Sequence, residues 1–227
     1  MKNTFKIFGI VAAVAIIGLS MVACGDTIIH VPDPGPGPGP GDDERLTPLT
    51  LSGQVWRYSW RHNIRIQYNG NRTVFSDIGG SGAITDGQLS FSIGTPSRLE
   101  SILNIFDEFH AQFYDFNISA PSASGAFLEP VTSGGGPVAE LIRWYGDYEV
   151  VGYLFVDRNV TVTGRGRTTT DSHQIITTQD LNLNLRAGWN ALHTRTENLG
   201  ITDGVRNYRY AFSIGDPARM RWYLLLD

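Results

Sequence analysis

An all-β body, an antiparallel β-sandwich carrying one short amphipathic helix, is predicted by three observations. After Leu46 the chain breaks into short runs rich in Val, Ile, Thr and aromatic residues, separated by Gly, Asn and Asp. Runs such as Leu181-Asn182-Leu183-Asn184-Leu185-Arg186 alternate strictly, giving a strand one buried and one wet face. A single stretch, from Thr95 to Phe113, carries helical spacing instead.

The segment before that body has a different plan. Residues 1–23 have a basic start at Lys2 and Lys6, an apolar run from Ile7 to Leu19, and a small-residue end. That is the layout of a secretory signal peptide, and the run falls short of the roughly 20 apolar residues a membrane span prefers. Met21-Val22-Ala23-Cys24 closes it, and Cys24 is the one cysteine of the 227 residues. A thiol after small residues is what bacterial lipoprotein processing needs: the sulfur takes a diacylglyceryl group and becomes the mature N-terminus. Cys24 is therefore the expected lipid attachment site, and the membrane is a partner through that lipid. Acylation would leave no thiol for a disulfide, a thiolate metal site or a cysteine nucleophile.

Residues 24–46 form the expected tether. From Pro32 to Gly41 proline alternates with glycine or aspartate, so backbone donors are missing and there is nothing to bury. Glycine recurs at every second position, which excludes a collagen helix. The result is a semi-extended spacer of about 3.1 Å per residue in its polyproline-like parts.

Both lysines belong to the signal segment, so the mature chain sets 16 arginines against 22 acidic residues, a net charge of −6. This argues against a nucleic-acid partner, which would want a basic face. Every cation of the body is a planar guanidinium that can stack on rings.

Within residues 47–227 the strands are expected at Leu49 to Trp60, Asn63 to Tyr68 and Arg72 to Ile78, with Asn69-Gly70-Asn71 as a hairpin turn joining the last two. Gly82 to Thr85 and Gln88 to Ile93 flank Asp86-Gly87, a dipeptide suited to the positive φ angles of a type I′ turn. Thr95-Pro96 reads as a helix start, and Leu99, Ile102, Leu103, Phe106, Phe109 and Phe113 form its apolar face. Strands return at Tyr114 to Ser119 and Ala126 to Leu128, and Ser133 to Pro137 breaks the body into two possible packed halves. Further strands are expected at Leu141 to Tyr145, Tyr148 to Asp157, Val160 to Thr163, His173 to Thr178, Asp180 to Arg186, Ala191 to Thr196, Arg206 to Ile214 and Arg219 to Leu226. Gly164 to Arg167 reads as a loop tip and Gly188-Trp189-Asn190 as a turn. Ile84-Thr85-Asp86-Gly87 followed by Phe91-Ser92-Ile93-Gly94 is echoed by Ile201-Thr202-Asp203-Gly204 followed by Phe212-Ser213-Ile214-Gly215, which suggests two similar hairpins.

The segments Ile84 to Pro96, Val151 to Gly164 and Leu181 to Asn190 resemble blocks of uncharacterised bacterial cell-envelope lipoproteins of the spirochaete and Bacteroidota kind. The resemblance implies a lipid-anchored envelope location, in the outer membrane and facing the periplasm or the surface, and a mostly β body. It carries no catalytic residue to this chain.

The chemistry-bearing residues are sparse. His62, His110, His173 and His193 lack the i, i+2 or i, i+4 spacing that places two imidazoles on one metal, so no metal site and no cofactor is expected. Asp107-Glu108-Phe109-His110 is the densest titratable cluster, but on a helix its carboxylates face away from Phe106 and Phe109. Gly79 to Ala83 approaches a nucleophile elbow yet lacks its last glycine. The distinctive pattern is aromatic and arginine: Trp56, Tyr58 and Trp60 share one strand face, Arg57 and Arg61 the other, with similar runs at Arg143 to Tyr145, Arg206 to Tyr210 and Arg221 to Tyr223. Exposed, Trp56, Tyr58 and Trp60 would form a stacking platform for sugar rings or a protein; buried, they are core, the commoner arrangement for large aromatics. The expected function is thus a lipid-anchored, non-enzymatic binding module for a glycan or protein ligand, with a self-associating structural component, and then a hydrolase, as alternatives.

Overall fold

A computed structural model describes residues 46–59, 64–106, 113–134, 138–145, 149–169 and 175–225. The signal segment, Cys24 and the tether up to residue 45 lie outside the described residues, as do Trp60, His62, His110 and His173. Among the described residues no helix is long and apolar enough to cross a membrane.

The all-β class holds, but the expected sandwich gives way to a closed barrel with outer strands. The barrel is built from β1 (Leu49–Ser59), β3 (Arg72–Phe75), β4 (Ser81–Thr85), β5 (Gln88–Ile93), β9 (Val131–Ser133), β10 (Ala139–Tyr145) and β16 (Arg221–Leu225). They pair in the order β1, β5, β4, β3, β9, β10, β16 and back to β1. Closure is due to β16, which pairs parallel with β1 (Val55 opposite Trp222) and antiparallel with β10 (Leu141 opposite Leu224). A strand with partners on both sides leaves no edge, and full closure is the one arrangement that removes sheet edges. The barrel takes strands from both sides of the break at 133–137, so its core is not confined to either half of the sequence.

Inward positions follow the period of two. Leu51, Val55, Val74, Ile84, Phe91, Leu141, Trp222 and Leu224 fill the barrel. Gly53, at φ +133°, lets the Trp222 ring lie along the β1 backbone, and the indole N–H donates to the Ser52 carbonyl at 3.1 Å. The Asp86-Gly87 turn has the two positive φ angles, 49° and 78°, that its sequence predicts. Its echo at Asp203-Gly204 shows the same pair, 50° and 79°. The strands that follow differ, however, because Phe91 and Ile93 line the barrel while Ile214 is exposed.

β2 (Ile64–Gln67) pairs with β1, whereas β3 pairs with β4 and β9, so residues 69–71 do not join a hairpin as the sequence suggested. They wrap the Asp86-Gly87 turn: Gly87 N–H donates to the Gly70 carbonyl at 3.1 Å and Asp86 N–H to Asn71 Oδ1 at 2.7 Å.

The outer sheet runs β11 (Glu149–Val156), β14 (Gly188–Thr202), β15 (Val205–Ile214), β13 (Ile175–Leu185), β12 (Val160–Thr169) and β7 (Phe113–Ile118). β11 is also paired along its other edge, with β10 over its first half and with β8 (Ser124–Leu128) over its second. Its two faces serve two cores: Val151 and Tyr153 join the barrel interior, while Leu154 and Val156 join a second cluster with Val162, Leu181, Leu183 and Leu185. That explains why Val150 to Val156 reads as a near-continuous apolar run.

The helix is shorter than the spacing predicts. β6 (Glu100–Ser101) pairs with β8, and α1 spans Ile102–Ile105, capped by the Ser101 hydroxyl rather than by Thr95. Ile102, Ile105 and Phe106 are buried in the second core, Leu99 and Leu103 are exposed, and Phe113 starts a strand. Phe109 and the Asp107 to His110 cluster lie outside the described residues. Two turns expected from glycine are also strand. Gly164 to Arg167 sits inside β12, whose pairing with β7 shifts register between Thr163 and Arg165. Gly188 to Asn190 opens β14, and the buried Asn190 amide closes the preceding turn, donating to the Arg186 carbonyl at 2.8 Å and accepting from its N–H at 3.0 Å.

Leu224 is fully buried in the strand that closes the barrel. Leu224→Ala is expected to lower unfolding stability by about 2–5 kcal/mol, read from urea denaturation midpoints.

Candidate functional site

Two side-chain groups stand out, one on each face of the sheet around β16. The first grows from the barrel lining. Trp222, Arg143, Val151, His193 and Ser213 are successive register partners across β16, β10, β11, β14 and β15, so they occupy one face. Residues 215–220 cross that face to carry the chain from β15 to β16, and their side chains fasten to it. Asp216 accepts from Arg143 Nε and from the Tyr153 hydroxyl, both at 2.7 Å. Arg143 also stacks over Trp222 at 5.3 Å, and Tyr153 lies nearly parallel to the same indole. Burial, and then the hydrogen bond to the Asp216 carboxylate, push the Tyr153 phenol well above the usual tyrosine pKa.

Beside it, His193 Nε2 is 2.9 Å from Glu149 Oε2, the same oxygen that accepts from Arg219 Nη2 at 2.5 Å. Ser213 Oγ is 3.4 Å from His193 Nδ1. Serine, histidine and glutamate thus stand in the order of a hydrolase relay. Ser213, however, sits on an open strand surface at the limit of hydrogen-bond distance, and the carboxylate is tied to the crossing segment by Arg219. The arrangement works as a clamp: Asp216 on the crossing segment accepts from β10 and β11, Glu149 on β11 accepts from Arg219, and the Gly215 N–H donates to the Ala191 carbonyl of β14 at 2.8 Å, which together hold residues 215–220 on the sheet. Among the described residues no group of three or more His, Cys, Asp or Glu is placed to hold a metal ion.

The second group lies on the outer wall of the barrel and contains the aromatic residues the sequence singles out. Tyr58 is 4% exposed, packed edge-on against Trp144 at 5.1 Å and Tyr223 at 6.5 Å. With Val150 and Tyr210 these rings form a third core between the barrel wall and β15. Tyr58 is therefore core and offers no ring face to a ligand. Trp56 is different. It is half-buried at the rim of that cluster, and the exposed Arg221 guanidinium stacks over it at 5.0 Å. Gln67 stands directly opposite Trp56 on β2, and Arg65, opposite Tyr58, reaches over Tyr58 and Trp144 at 5.7 and 5.4 Å. The structure brings Trp56 and Tyr58 onto one face, as the period of two requires. Trp60 lies outside the described residues.

Arg221, Gln67 and Arg65 were not singled out together by the sequence. The signal for Arg221 was the run Arg221-Trp222-Tyr223, but its partner is Trp56 on a strand 165 positions earlier. Nothing in the sequence announces that pairing.

No protein-family model matches this chain, and no match is found among curated proteins or solved structures.

The Tyr153 hydroxyl makes a testable contribution. Because its folded pKa is raised above the unfolded value of 10.0, the stabilisation it confers is complete below pH 10 and declines as pH rises further. Tyr153→Phe is expected to cost about 1–2 kcal/mol at neutral pH and to flatten the alkaline decline, measured by denaturant titration across pH 8 to 11.

Proposed function

We propose that this chain is a lipid-anchored cell-envelope binding module, acting without catalysis, that holds its ligand on the outer wall of the barrel beside Trp56. The observation that carries the reading is the half-buried Trp56 ring capped by Arg221 at the open rim of an otherwise closed aromatic cluster. A large aromatic with part of its surface in water, beside amide and guanidinium donors, is what recognition of sugar rings or of a protein surface uses. The Cys24 motif and the Pro-Gly tether support the address: a spacer next to an acylated cysteine holds the body off the bilayer. The resemblance to envelope lipoproteins agrees with that address. The alternative of self-association through strand edges draws less support. β14 beyond its pairing with β11 is an edge with exposed Leu199 and Ile201, but a bulge between Asn198 and Gly200 interrupts it, as protective bulges do.

Two measurements check the reading. Glycan and matrix-protein arrays probed with the chain should give signals that Trp56→Ala removes while its near-ultraviolet circular dichroism stays native; signals insensitive to Trp56→Ala place the ligand elsewhere. Radiolabelled palmitate should be incorporated by the native chain and not by Cys24→Ala; label that survives the substitution refutes the anchor.

A further inference from the structure

We infer that the ligand beside Trp56 is an anionic saccharide, a chain of sugar rings bearing carboxylate or sulfate groups, whose charge is read by Arg221. The inference rests on the Trp56 reading above and adds the ligand's chemical class. Its ground is the charge of the wall. On the face that carries Trp56, β1, β2 and β16 together bear Arg65 and Arg221 and no aspartate or glutamate, in a chain of net charge −4. Among the described residues Arg221 joins no ion pair, in contrast to Arg143 and Arg219, which also stack on rings but have their N–H groups committed to Asp216 and Glu149. On β10, Glu140 shares the face of Trp144, the register partner of Arg221, but stands four residues along the strand, about 14 Å away.

A guanidinium held against an indole is restrained before any ligand arrives. Arg221 is exposed, so its N–H groups are open to carboxylate or sulfate oxygens, whose geometry the guanidinium fork matches. Arg65, two residues along β2 from Gln67, lies over Tyr58 and Trp144 and adds its positive charge to the same face. Between the two arginines the Gln67 amide stands ready for hydroxyl groups, and the uncovered part of the Trp56 ring for sugar C–H groups.

An acidic peptide is the competing occupant, because among the described residues β2 pairs with β1 alone and its other edge is open to an added strand. The half-buried Trp56 ring beside the Gln67 amide favours the saccharide, whose C–H and hydroxyl groups match them.

The test is titration calorimetry of the full chain in nonionic detergent against polygalacturonate, dextran sulfate, neutral dextran and poly-L-glutamate, each at low and at high salt. The expected result is binding to one or both anionic polysaccharides, weakened about tenfold or more by Arg221→Ala and by high salt. Arg158→Ala, a distant exposed arginine, should leave it unchanged. Arg221→Lys keeps the charge but not the guanidinium fork and should restore part of the loss; it replaces Arg221→Ala as the deciding variant if the alanine form does not fold. Equal affinity for poly-L-glutamate would overturn the saccharide assignment. Binding of neutral dextran that needs Trp56 and is indifferent to Arg221 would overturn the anion and leave the Trp56 reading standing. Binding that Trp56→Ala leaves intact, or no binding to any polymer, would overturn the inference; the first also removes Trp56 from the ligand site, and the second leaves Trp56 to be judged by the array signals.

Discussion

The fold depends on the five residues of β16. This strand runs parallel to β1 and antiparallel to β10, and so seals the barrel with the last described segment of the chain. Its alternate residues serve opposite faces: Trp222 and Leu224 fill the interior, while Arg221 and Tyr223 join the aromatic wall. One strand therefore completes two hydrophobic clusters and the candidate ligand face together. Its arrival is secured by the crossing segment 215–220, whose Asp216 and Arg219 grip Arg143, Tyr153 and Glu149. These contacts are partly buried at the carboxylate of Glu149 and at Arg143, where solvent screening is weaker than at an exposed pair.

β11 is the second organising strand, for a different reason. Buried on both faces, it belongs to the barrel core through Val151 and Tyr153 and to the outer core through Leu154 and Val156. Close packing makes such a strand transmit any displacement from one core to the other. The aromatic cluster of Tyr58, Trp144, Tyr210 and Tyr223 closes the seam between barrel wall and outer sheet in the same manner, with edge-on ring contacts that are directional as well as apolar.

The arginine-only composition of the body acquires a structural sense in this setting. Four guanidiniums, on Arg65, Arg143, Arg219 and Arg221, lie over tryptophan or tyrosine rings at 5.0–5.7 Å. A lysine ammonium lacks the planar, delocalised charge that favours such contacts. Two of the four also clamp the crossing segment through carboxylates, and Arg221 is exposed to solvent. The same residue type thus holds the fold together on one face of the sheet and furnishes the candidate binding surface on the other.

The sequence by itself carries the Cys24 motif and the Pro-Gly run, and with them the expectation of a signal segment and a tether, because each is a matter of local composition. It determined the β class and the Asp86-Gly87 turn, because the period of two and positive φ angles are properties of adjacent residues. It overextended the helix at 95–113, since apolar spacing there was outweighed by the pairing of Glu100 and Ser101 with β8. It also took the glycines at 164 and 166 as a break, although neighbouring strands hold those positions within β12. Only the tertiary structure decided between sandwich and barrel, since closure depends on the meeting of β1 and β16 across more than 160 positions of chain. It likewise decided which aromatics are core and which reach solvent: Trp56 and Tyr58 are indistinguishable by strand parity, and the ring packing of Trp144 and Tyr223 buries one while Arg221 caps the other.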